Sequence, residues 1–127
     1  MTKYVFDASA LLALINREEG AEEVEKLLHH SIMSSVNVSE CAAILSRIEL
    51  PQEKIKNLLT ELIPEIIPFE VKQAFETARL RKMTKEKGLS LGDRACLALG
   101  SLRNLPVVTA DRVWKALGCG VKIHLIR

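Results

Sequence analysis

The chain predicts an α/β fold: a central, mostly parallel sheet of about five short strands between two layers of helices. Three observations carry this. Apolar, β-forming segments alternate with segments of helical periodicity along all 127 residues, the order that a parallel sheet with right-handed crossovers requires. The strand segments are short and apolar on both faces, as in a sheet covered on both sides. The length suits one domain, residues 1–127, with a proper core and without repeat, linker or low-complexity stretch.

The elements follow in order. Residues 3–6 form a strand, and 8–16 a helix with Leu11, Leu12 and Ile15 inward. A second helix spans 19–30, with Val24, Leu27 and Leu28 at helical spacing. "IMSS" (31–34) is a short strand, 37–48 a helix, and Pro51 opens the next helix at a first-turn position that suits proline. "EIIPF" (65–69) is a strand that ends at Pro68 or lies at a sheet edge. A long helix runs from about 70 to 82, a polar loop covers 83–89, and an apolar helix spans 90–102. "PVVTA" (106–110) is a strand, 110–117 a helical turn, and "VKIHLI" (121–126) the last strand.

Bulk composition narrows the function classes. The hydrophobic and charged fractions, 48% and 27%, are those of an ordinary soluble chain. No apolar run approaches the length of a membrane span. The N-terminus starts directly with a strand rather than a basic flank and a signal-type run, which points to the cytoplasm. A net charge of +2 does not by itself announce nucleic-acid binding. Cys41, Cys96 and Cys119 form no CxxC pair and read as small buried side chains.

The acids carry the chemistry. Asp7 follows the first strand and Asp111 the "VVT" strand; Glu40 and Asp93 lie in the first turns of the helices after "IMSS" and before "PVVTA". A helix feeding a parallel strand runs against it, so all four acids reach the edge where open α/β sheets bind ligands. Each has a purely structural explanation as well. Asp7 suits a helix cap, Asn37-x-x-Glu40 and Ser90-x-x-Asp93 fit capping boxes, and Asp111 suits a turn. Against four independent caps stand the apolar neighbours of Glu40 and Asp93 and the repulsion of four like charges, which a cation relieves. An all-carboxylate set suits Mg²⁺ or Mn²⁺; zinc would call for His or Cys.

Together "VFDASALLALI", Glu40 in an apolar helix, "LSLGDRACLALG" and "VVTAD" resemble a PIN domain, and most closely the small single-domain VapC-type toxins of toxin–antitoxin pairs. The resemblance spans essentially the whole chain. It implies a three-layer α/β/α sandwich and metal-dependent endonucleolytic cleavage of RNA. The family's catalytic acids map onto Asp7, Glu40, Asp93 and Asp111, with Thr109 and Ser9 at its hydroxyl positions. Asp7 and Asp93 are then the principal metal ligands, Asp111 a ligand directly or through water, and Glu40 the group that orients or deprotonates the attacking water. Thr109 orients a carboxylate or a water. Many relatives carry another acid after the last one; Val113 and Trp114 stand here, which bears on a second metal ion. The resemblance also implies a homodimer and a small antitoxin that covers the acidic edge, with the Leu- and Ile-bearing helices 19–30 and 51–63 as candidates for its groove.

Arg79, Arg81, Lys82, Arg94 and Arg112 flank the acids in sequence. They are either a solvated face or a hold on the RNA backbone. Trp114 and Phe69 are large enough to stack a base, though both suit the core. Rival readings fail on particular residues. A receiver-type domain would have its phospho-acceptor Asp after the middle strand, where Pro68-Phe69-Glu70 stands, and a dehalogenase-like phosphatase would want Asp-x-Asp in place of Asp7-Ala8-Ser9. His29, His30 and His124 read as structural rather than as an acid–base pair. A PIN-type nuclease without an antitoxin and a silent binding module of the same fold are the alternatives.

Overall fold

The computed structural model describes residues 2–127. Eleven elements follow one another: β1 (Tyr4–Phe6), α1 (Ala8–Ile15), α2 (Ala21–Leu27), β2 (Ser31–Ser34), α3 (Ser35–Leu45), α4 (Gln52–Leu62), β3 (Glu65–Ile67), α5 (Val71–Thr84), α6 (Leu91–Arg103), β4 (Val107–Thr109) and β5 (Ile123–Leu125). The sheet order is β3-β2-β1-β4-β5. All four pairings are parallel, so the sheet is parallel throughout and not merely mostly so.

Strand side chains alternate between two cores. Val5, Ile32 and Val107 pack with Leu80, Leu97 and Trp114 under α5 and α6. Phe6, Met33 and Val108 pack with Leu11, Val24, Leu45 and Leu59 under α1 to α4. With both faces covered, each of these positions must be apolar, which explains the strand composition. β3 ends before Pro68 and lies at the sheet edge, where a missing N–H costs no ladder bond.

Several boundaries differ from expectation. Gly20 adopts a left-handed conformation and delays α2 to Ala21. Ser34, not Asn37, caps α3: it is extended, and its hydroxyl accepts from the Val36 N–H. Asn37 is therefore inside the helix, and the expected Asn37–Glu40 capping box does not form. Helix α5 continues through residues expected to be loop, to Thr84, whose buried hydroxyl donates to the Leu80 carbonyl. Pro51 is the cap of α4 rather than its first residue.

The chain runs outward from β1 to β2 and β3, then returns to β4 on the other side of β1. The order reverses between β1 and β4, and at such a switch point open α/β sheets leave a crevice beyond the strand carboxyl ends.

Candidate active site at the strand carboxyl ends

Asp7 terminates β1 at this crevice and caps α1. Its Oδ1 accepts from the Ala10 N–H at 2.9 Å and from the Ser9 hydroxyl at 2.7 Å. Its Oδ2 accepts from the Thr109 hydroxyl at 2.7 Å. The residue is 5% exposed. Burial disfavours the charged form and pushes its pKa from 3.8 up to about 6; the donors Thr109, Ser9 and Ala10 oppose that rise, and the Asp93 charge adds to it.

Ser9 and Thr109 join the start of α1 to the end of β4. Their hydroxyl oxygens lie 3.3 Å apart. The Ser9 hydroxyl accepts from the Ala110 N–H at 2.9 Å, and that of Thr109 from the Asp111 N–H at 3.1 Å. Asp111 thus connects to Asp7 through Thr109. Its own Oδ1 accepts from the Val113 N–H at 3.0 Å, capping an exposed turn.

Asp93 forms a reciprocal capping box with Ser90 at the start of α6. The Ser90 N–H donates to Oδ2 at 3.0 Å, so the box engages one carboxylate oxygen. Glu40 comes from α3 and faces the same end of α6. The Asn37 side-chain amide donates to Glu40 Oε1 at 2.9 Å and to the Gly92 carbonyl at 3.0 Å. A Cβ on Gly92 would stand 2.1 Å from Glu40 Oε2, so a side chain here would push this carboxylate out of its present position.

Two buried thiols report how these acids converge. Burial first, then the charges of Asp7, Asp93 and Glu40, push the Cys96 thiol well above its ordinary range. Burial and the charges of Asp7 and Glu40 push Cys41 up to about 12. Cys96 thus lies within the field of Asp7, Asp93 and Glu40, and Cys41 within that of Asp7 and Glu40, while Asp111 is exposed. All three cysteines are free and buried, as expected from their spacing.

Among the described residues, no three His, Cys, Asp or Glu side chains stand close enough to form a ready-made metal cage. The acids fit a cation that takes one or two carboxylates and completes its shell with water and phosphate oxygens, which is the habit of Mg²⁺ and of Mn²⁺ at oxygen-rich sites. They do not fit zinc, since neither buried thiol is set to ionise. Beside Glu40 a groove opens between the starts of α3 and α6, lined by Ser35, Ser39, Ser90 and Leu91.

The basic residues are less concentrated than their spacing suggests. Arg79 is paired with Glu76 through two 2.7 Å bonds, and Arg94 donates to the Thr77 carbonyl beneath α5 at 3.0 Å. Arg112 donates to the Arg127 carbonyl at 3.2 Å. Arg81 and Lys82 are exposed. Trp114 is buried in the core. His124 lies 3.2 Å from Glu23, away from the acids. Sequence reasoning missed Asn37 and Gly92 as parts of the site; the only available signal was an Asn one turn before an acid, and that pattern reads first as a cap.

Two apolar surfaces lie outside this crevice. Leu14, Ile15, Leu28, Leu58 and Leu62 line a groove of about 320 Å³ between α1, α2 and α4. On α5, Val71 and Phe75 are 72% and 73% exposed. No helix is long and apolar enough to cross a membrane among the described residues.

The PIN domain family model matches residues 4–118. No curated protein gives a significant match. Solved structures with this fold include a toxin–antitoxin complex from Klebsiella pneumoniae, with 20% identity, 98% of each chain covered and a TM-score of 0.78. DNA-bound VapBC from Salmonella typhimurium has 21% identity, 100% coverage of each chain and a TM-score of 0.76. A sarcin-ricin loop cleaving toxin, VapC20 from Mycobacterium tuberculosis, has 14% identity, 91% of this chain and 95% of that one covered, and a TM-score of 0.73.

Proposed function

This chain belongs to the PIN domain family, and on that premise we propose that it is a Mg²⁺- or Mn²⁺-dependent endoribonuclease, the toxin of a toxin–antitoxin pair. The observation that supports this is the placement of Asp7, held by Ser9 and Thr109, of Glu40, held by Asn37, and of Asp93 at the carboxyl-end edge of the sheet beside its switch point. Several solved structures of this fold are toxin–antitoxin complexes, and one is a toxin that cleaves the sarcin-ricin loop.

Asp7 and Asp93 would hold the cation, with Asp111 as a further ligand directly or through water. When bound, the cation neutralises the scissile phosphate and lowers the pKa of a water. Glu40, fixed by Asn37, orients and deprotonates the attacking water. Thr109 and Ser9 keep the Asp7 carboxylate in one orientation, as partners of metal ligands do. Arg81 and Lys82 contribute to holding the RNA backbone, and Arg79, Arg94 and Arg112 join them where they release their present acceptors.

The antitoxin occupies the groove between α1, α2 and α4, whose five apolar side chains form the kind of surface an amphipathic segment covers. The exposed apolar residues of α5 suit a second copy of the chain in a homodimer. The protein works in the cytoplasm, where its RNA is.

The test is to incubate the purified protein with total bacterial RNA in Mg²⁺, Mn²⁺ or EDTA and map the new RNA ends. Discrete cuts that require the divalent ion are expected. Intact RNA under all conditions, or cuts indifferent to EDTA, would refute the reading.

A further inference from the structure

We propose that Asn37 is a positioning residue that sets Glu40 against the Asp93 end of α6. The proposal rests on the nuclease reading above for its catalytic consequence, but its geometry stands independently. Asn37 is 1% exposed and lies in α3, one turn before Glu40. A polar side chain at such a place would ordinarily be replaced by an apolar one, because a buried amide must find partners. Its two partners, Glu40 Oε1 and the Gly92 carbonyl, are both acceptors. The NH₂ end must therefore face them, and each of its hydrogens is used.

One bond ties the amide to an acid of α3, and the other to the residue before an acid of α6. A single rigid group thus links the two helices that bring Glu40 and Asp93 to the crevice. Gly92 closes the arrangement from the other side. Its missing Cβ leaves the space that Glu40 Oε2 fills, and an added Cβ would lie within 2.6 Å of all three carboxylate atoms, Oε1, Oε2 and Cδ. Glu40 Oε1 accepts from the amide while Oε2 occupies the space over the bare Cα of Gly92, the residue before Asp93. A helix-to-helix pin alone would need only the bond to Gly92. The second bond, to the Glu40 carboxylate, is what assigns Asn37 to the site.

The test compares wild type, Asn37→Leu and Gly92→Ala by Mn²⁺ binding, with free Mn²⁺ read by electron paramagnetic resonance. It also measures cleavage of an RNA oligonucleotide carrying the mapped site, with kcat and KM separated, and melting in EDTA. Asn37→Leu keeps the volume but not the donors; if it fails to fold, Asn37→Ala takes its place. Loss of a group that orients a metal site typically costs about 10- to 100-fold in affinity or activity. Because the water that Glu40 orients would also be a ligand of the cation, we expect Mn²⁺ binding weaker by about tenfold and kcat lower by at least that factor, with KM for RNA within about twofold. Gly92→Ala, which acts on Glu40 from the opposite side, should lower kcat in the same way. A folded Asn37→Leu with unchanged Mn²⁺ affinity and kcat overturns the proposal, whatever its melting temperature. If wild type binds Mn²⁺ without cutting RNA, the nuclease reading fails; weakened Mn²⁺ binding in Asn37→Leu would still uphold the positioning role. Wild type that binds no Mn²⁺ overturns both.

Discussion

Replacing Asp7 by Asn should stabilise the metal-free protein at neutral pH, although Asp7 makes three hydrogen bonds. Its pKa rises from 3.8 to about 6 because the carboxylate is buried. Below pH ~4 the carboxyl is protonated both folded and unfolded and contributes nothing. As pH rises towards 6, the unfolded chain has released the proton and the folded chain still holds it, so stability falls. Above pH ~6 the full penalty persists, about 3 kcal/mol from a shift of roughly two units. Asn caps a helix as well as Asp does, and its oxygen keeps the Ala10 and Ser9 donors. Its NH₂ turns towards Thr109 and costs about 1 kcal/mol of hydrogen bonding. A net gain of about 2 kcal/mol at pH 7 is left, shrinking towards zero or slightly below at pH 4. Urea unfolding in EDTA at pH 4, 5, 6 and 7 reads this directly. Added Mn²⁺ should reverse the ranking, since a ligand at roughly 100 times its Kd stabilises only the protein that binds it, by about 2.7 kcal/mol. A pH-independent loss of stability in Asp7→Asn, unaffected by Mn²⁺, would show that Asp7 is a cap and nothing more.

Asp93→Asn should abolish RNA cleavage while melting in EDTA at or above the wild-type temperature, because an amide keeps the Ser90 cap without the charge. Full cleavage by this variant would remove Asp93 from the site. Ca²⁺ should protect the fold yet support cleavage poorly, as its looser coordination positions water less well; equal rates in Ca²⁺ and Mg²⁺ would contradict the mechanism. Charge reversal at Arg81 and Lys82 should weaken RNA binding and reduce its salt slope by about two, and adding Arg79 should change little more while it is paired with Glu76. Leu58→Glu should prevent complex formation with the neighbouring small gene product without slowing cleavage; an intact complex would move the antitoxin to another surface.

The fold was legible because both faces of the sheet are buried. Val5-Phe6, Ile32-Met33 and Val107-Val108 each feed two cores, so the three central strands each carry an adjacent apolar pair. Helix ends were less legible. Gly20 and Ser34 act through local backbone geometry, and the pattern around Asn37 matches a capping box that a better-placed serine pre-empts. The four acids could be placed at one sheet edge from element order alone. Their side-chain partners could not, since these depend on side-chain reach: Asp7 is held by Ser9 and Thr109 and Glu40 by Asn37, whereas Asp111 turns to cap its own loop. The basic residues show the same limit. Arg94 and Arg112 find acceptors far along the chain that a linear sequence does not place beside them, whereas Arg79 pairs with Glu76 one turn earlier in its own helix.

The bond between Thr109 and Asp7 joins residues 102 positions apart. It joins the first strand of the chain to the fourth. During translation, β1 has no β4 to pair with, Asp7 lacks its Thr109 donor, and α6 has no strand to lead into. Contacts of such separation form late, after the closure of a long loop. The acids therefore remain dispersed on a growing chain until β4 is free to insert between β1 and the position of β5. On the proposed reading, the site that would cut RNA is complete only once β4 has been made and has paired with β1, a delay that strand order itself imposes.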